Sequence, residues 1–62
     1  MNTEYYNWLH ELTTIGYRKN IMIPTELMQE VKKLFNNGTP PAKALDAIIG
    51  IAHVRGISIN KK

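Results

Sequence analysis

There is no cysteine among the 62 residues. Disulfides and cysteine-ligated zinc are excluded, and a reducing, cytoplasmic setting is expected. No apolar run approaches the roughly 20 residues of a membrane-spanning helix, so no membrane partner is expected. The opening "MNTEYYNW" has neither a basic n-region nor an apolar h-region and does not read as a secretory signal. "NGT" at 37–39 matches a glycosylation sequon that has no meaning without export. Ser58 is the only serine, and nothing beside it would activate a nucleophile. His10 and His53 are far apart, and "HELTT" lacks the second histidine of a metalloprotease helix. No glycine-rich phosphate loop or paired-carboxylate motif is present. The chain is therefore expected not to be an enzyme, with no catalytic residue, no metal site and no cofactor.

A chain of this length forms one domain at most, here residues 1–62, and buries little core. Net charge is +3, unevenly spread. Residues 1–16 carry −2, from Glu4 and Glu11, whereas residues 17–62 hold every lysine and arginine and carry +5. A basic body suits an anionic partner such as nucleic acid.

Three helical patterns are present. In residues 3–15, Tyr5, Trp8, Leu9, Leu12 and Ile15 share a face at 3.6 periodicity. Asn2 or Thr3 can cap this helix and Gly16 can end it. A second helix is expected over about 25–37, with Thr25 as cap, an apolar stripe of Leu27, Val31, Leu34 and Phe35, and "NNG" as its stop. A third is expected over about 39–54, capped by Thr39, with Pro40 and Pro41 in its first turn. Its only polar stripe is Lys43, Asp46, Gly50 and His53, so a helix buried on most sides is expected, more than two short helices can cover. A second copy of the chain would supply the rest, with Ala47 and Gly50 small enough to admit a close helix. A monomeric three-helix bundle is the alternative. Ile57 and Ile59 alternate in a tail over 57–62.

Ahead of the second helix, "RKNIMIPTEL" reads as a six-residue extended segment, 18–23, stopped by Pro24. Ile21 and Ile23 would point to one face and Arg18, Asn20 and Met22 to the other. Strand, proline, helix, glycine turn and second helix over 18–54 resemble the ribbon-helix-helix family of Arc- and MetJ-type repressors. The resemblance implies a mainly α fold: an N-terminal helix, then a short strand and two helices completed by an intertwined homodimer. Its function would be sequence-specific binding of double-stranded DNA, as a cytoplasmic repressor or autoregulator of phage, plasmid or bacterial origin. A two-stranded ribbon would enter the major groove, with Arg18, Asn20 and Met22 touching bases. Lys19, Lys32, Lys33, Gly38, Thr39 and Ala42 would meet phosphates. Ile21, Ile23, Leu27, Val31, Leu34, Leu45, Ile48, Ile49 and Ala52 would form the dimer core.

Two other readings stand beside it. One is a small phage or accessory module that binds and modulates a host protein, with Tyr5, Tyr6 and Trp8 as candidate partner-binding residues on the first helix. The other is a helix-turn-helix over 27–56, weakened by the apolar character of the helix after its turn.

Overall fold

A computed structural model describes residues 3–60. Asn2, Lys61 and Lys62 lie outside the described residues, so the proposed Asn2 cap and the end of the tail do too. Helix α1 runs over Thr3–Arg18, α2 over Met28–Asn36 and α3 over Pro41–Arg55, and a 3-10 turn at Thr25–Leu27 leads directly into α2.

The ribbon-helix-helix expectation fails at the end of α1. This helix continues three residues past Ile15, through Gly16, to Arg18. Gly16 is buried inside the helix because the chain folds back over it. A Cβ there would lie 3.2 Å from the Ile21 carbonyl oxygen and 3.7 Å from Leu45 Cδ1. The stop is Asn20, in the left-handed region with φ 59°. Asn20 N–H donates to the Tyr17 carbonyl at 3.1 Å, and Ile21 N–H donates to the Gly16 carbonyl at 2.8 Å. This paired bonding is the Schellman closure, which asparagine enters at modest cost because its short polar side chain tolerates the left-handed well. Helices α2 and α3 close the same way at Gly38 and Gly56, whose φ angles are 78° and 70°. A residue at φ 59° cannot continue an extended ladder, so residues 18–20 are helix end and turn rather than strand.

What remains extended is short and already paired within the chain. Met22 N–H donates to the Ile59 carbonyl at 2.7 Å, and Ile21 faces Asn60 in an isolated antiparallel bridge. No strand forms among the described residues, so there is no ribbon to dimerise. Pro24 then accepts the Leu27 N–H at 3.0 Å and turns the chain into α2. Neither Thr25 nor Thr39 caps a helix with its side chain. The residue ahead of the 3-10 turn is Pro24, the residue ahead of α3 is Pro40, and α3 begins at Pro41.

The core lies inside one chain. Leu12 from α1, Leu27 and Val31 from the α2 region, and Ala44, Leu45, Ile48 and Ala52 from α3 are at most 1% exposed. Ile21, Ile23, Leu34 and Ile49 pack partly buried against them. The residues expected to join two chains thus join three helices of a single chain, and the intertwined dimer gives way to the three-helix alternative. The radius of gyration, 10.9 Å, matches the value of about 10.6 Å for a compact chain of this length. Helix α3 needs no second copy because only its 44/45/48/52 face is buried. Lys43, Asp46, Gly50 and His53 are exposed, and so is Val54.

Position 20 discriminates turn from strand directly. Asn20→Gly is expected to keep or raise stability, whereas Asn20→Val should cost about 1–2 kcal/mol. Urea unfolding followed by circular dichroism measures both. A valine variant more stable than the glycine variant would indicate a strand.

Candidate functional site

The aromatic residues of α1 divide between packing and exposure. Trp8 Nε1–H donates to the Thr39 carbonyl at 2.8 Å, joining α1 to the turn between α2 and α3. Phe35, at the end of α2, receives Tyr5 at a centroid distance of 5.0 Å and Trp8 at 5.4 Å, both edge-on. Edge-to-face pairs of this kind add about 0.5–1.5 kcal/mol each beyond area burial. Tyr5 and Trp8 therefore close one end of the bundle. Tyr6, 54% exposed, is left of the proposed partner-binding trio.

The residues expected to read DNA do not share a face. Arg18 is the last residue of α1, where its charge complements the negative end of the helix dipole. Lys19 and Asn20 belong to the closing turn, and Lys19 N–H donates to the Gly16 carbonyl at 2.9 Å. Met22 is 59% exposed, beside the tail rather than beside a second ribbon strand. Lys32 and Lys33 are exposed on α2, with Lys33 Nζ 3.8 Å from the Glu30 carboxylate. Arg55 also reaches this carboxylate, at 3.4 Å.

The expected phosphate cradle is closed. Gly38 N–H donates to the Phe35 carbonyl and Thr39 N–H to the Leu34 carbonyl, both at 3.0 Å. Pro40 and Pro41 have no N–H to offer, and Ala42 is simply exposed in the first turn of α3. With no ribbon and no free N–H cluster at Gly38 and Thr39, the duplex-DNA partner and the repressor function fall together.

The surface that does emerge is the outer side of α3. Ala47, Gly50, Ile51 and Val54, with Arg55 at one end, line an open groove of about 500 Å³. Their spacing of 3, 1 and 3 puts them on one helical face. It is a second apolar face, beside the buried 44/45/48/52 face. Val54, 84% exposed, is the most exposed large apolar residue described. Gly50 is the chemically informative position. It has an ordinary helical backbone, and a Cβ there would meet nothing within 4 Å. The fold does not require a glycine at this point, yet glycine in an exposed helix interior costs about 0.5–1 kcal/mol relative to alanine. Sequence reasoning missed Val54, although its register with Ala47 and Gly50 was available as a signal.

Among the described residues, no group of three or more histidine, cysteine or acidic side chains could hold a metal ion. No described helix is long and apolar enough to cross a membrane. No protein-family model matches the chain, and no curated protein or solved structure is significantly similar to it.

Two substitutions separate packing from surface. Trp8→Phe keeps a ring but removes the donor to Thr39, and should cost about 1–2 kcal/mol. Val54→Ser should leave stability within about 0.5 kcal/mol. Chemical denaturation of both variants checks the assignment, and equal costs would contradict it.

Proposed function

We propose that this chain is a small protein-interaction module that engages a helix of a partner protein through the outer face of α3 and modulates that partner by occupying its surface. The carrying observation is the apolar face of Ala47, Gly50, Ile51 and Val54, with Gly50 and Val54 exposed and Ala47 and Ile51 half-buried, on a helix whose core-facing side is already filled. Exposed contiguous apolar surface on a small protein marks contact sites. The small residues Ala47 and Gly50 admit a close backbone approach, while Ile51 and Val54 supply area to bury. This is the geometry of helix-in-groove recognition. The role is one of binding without catalysis. A cytoplasmic setting belongs to the same proposal, supported by the cysteine-free composition.

Gly50→Glu tests the reading with stability and binding moving in opposite directions. The added side chain meets open space, so the helix should gain up to about 1 kcal/mol. A charge in the centre of the apolar face should weaken partner binding at least about tenfold. A photo-crosslinking residue at Val54 should capture the partner, and one at the exposed Glu11 should not. Equal capture from both positions, or undiminished binding by the Gly50→Glu protein, contradicts the proposal.

A further inference from the structure

The turn after α2 carries a chemistry that neither the core nor the outer face of α3 uses. Asn37 is the only one of the six asparagines that is followed by glycine. It is exposed at the C-terminal end of α2, with φ −83° and ψ −1°, and Gly38 beside it is exposed as well. Asparagine is among the chemically labile residues, and the group that attacks its side-chain amide is the next backbone nitrogen. Glycine has no Cβ to shield that nitrogen. We propose that Asn37 is a site of spontaneous deamidation, gated by the turn that closes α2. The Gly38 nitrogen, having lost its proton, attacks Asn37 Cγ. The bond between them forms, the Cγ–Nδ2 bond breaks, and Nδ2 leaves with the proton as ammonia. Water then opens the succinimide ring at either carbonyl. One product is aspartate. The other is an isoaspartyl linkage, in which the main chain runs through Cβ and Cγ. Water is the only co-reactant, and nothing is oxidised or reduced.

The folded turn holds the two reacting groups apart. At ψ −1° the Gly38 nitrogen eclipses the Asn37 nitrogen rather than Cβ, so ring closure needs a large rotation of ψ. The Gly38 N–H is bonded to the Phe35 carbonyl and the Thr39 N–H to the Leu34 carbonyl, both at 3.0 Å, and that rotation breaks both bonds. It also displaces Thr39, whose carbonyl accepts the Trp8 Nε1–H at 2.8 Å. The reaction rate therefore follows the fraction of molecules in which the turn is open. Conversion weakens the turn in its own right. A carboxylate at the end of α2 opposes the helix dipole. The isoaspartyl linkage adds a main-chain atom between hydrogen bonds of fixed spacing, and Trp8 loses its acceptor as Thr39 shifts. The site lies at the opposite end of α3 from Val54 and does not depend on the outer face being a binding surface.

The full chain is incubated at mildly alkaline pH in buffer and in concentrated urea, and conversion at each asparagine is followed by mass spectrometry that separates aspartyl from isoaspartyl products. In urea, residue 37 should convert first. In the folded protein it should convert at least about tenfold more slowly than in urea, to a mixture of both acids. Trp8→Phe, which removes the clamp on Thr39, should raise the folded-state rate about fivefold or more and leave the rate in urea unchanged. Asn37→Gln, whose longer side chain cannot close the same ring, should show no conversion at this position. As wild-type protein ages, the emission of Trp8, the only tryptophan, should move to longer wavelength in step with the isoaspartyl fraction. Circular dichroism confirms that each variant retains its helices. Equal rates in buffer and urea overturn the proposal, as does an unchanged folded-state rate in the Trp8→Phe protein. So does conversion in urea that is led by another asparagine, or an emission that stays constant while isoaspartate accumulates.

Discussion

Burial of one face of α3 between α1 and α2 is the interaction on which the rest of the structure depends. Leu45 and Ile48 are completely enclosed, with Leu12 on one side and Leu27 and Val31 on the other. Full burial of such side chains contributes about 1.5–3 kcal/mol each. The ion pairs at Glu30 are partly exposed, and surface pairs contribute at most about 1 kcal/mol, so packing dominates. The specific bonds set the angles at which that packing is possible. Trp8 holds the turn before α3 against α1, and the left-handed residue at Asn20 folds the chain back over Gly16. From there Met22 meets the tail that leaves α3.

Much of this was legible in the sequence. The three helices, the glycine stop after α2 and the polar stripe Lys43, Asp46, Gly50 and His53 followed from spacing alone. Leu27, Val31, Leu45, Ile48 and Ala52 of the core were expected to be buried, though in a dimer, whereas Leu12 and Ala44 were not among the expected dimer-core residues. The decisive error concerned "RKNIMI". Alternating apolar and polar residues fit a strand, but two backbone features outweighed the alternation. Gly16 sits within α1 because tertiary contact with Ile21 and Leu45 favours a small residue there, so it does not end the helix. Asn20 has the left-handed φ that ends α1 four residues later. Neither feature has a local signature strong enough to compete with a two-residue period.

The second error had a different physical origin. Helix α3 is apolar on more than one side, which in the sequence alone points to a second chain. A helix can instead present one apolar face to its own core and another to a partner. Residues 44, 45, 48 and 52 form the first face; Ala47, Gly50, Ile51 and Val54 form the second. The weak amphipathicity of α3 is the sum of these two faces. Gly50 makes the division concrete: it lowers helix stability without serving the fold, the kind of compromise that binding surfaces retain.

The central claim is that one chain closes its own core. Thermal unfolding measured across about a hundredfold range of protein concentration tests it, because the midpoint of an obligate dimer rises with concentration while that of a self-contained fold does not. The account predicts a constant midpoint, with a sedimenting mass of 7.1 kDa at every concentration. A midpoint that climbs with concentration, with helicity appearing only in a species of twice that mass, would contradict it.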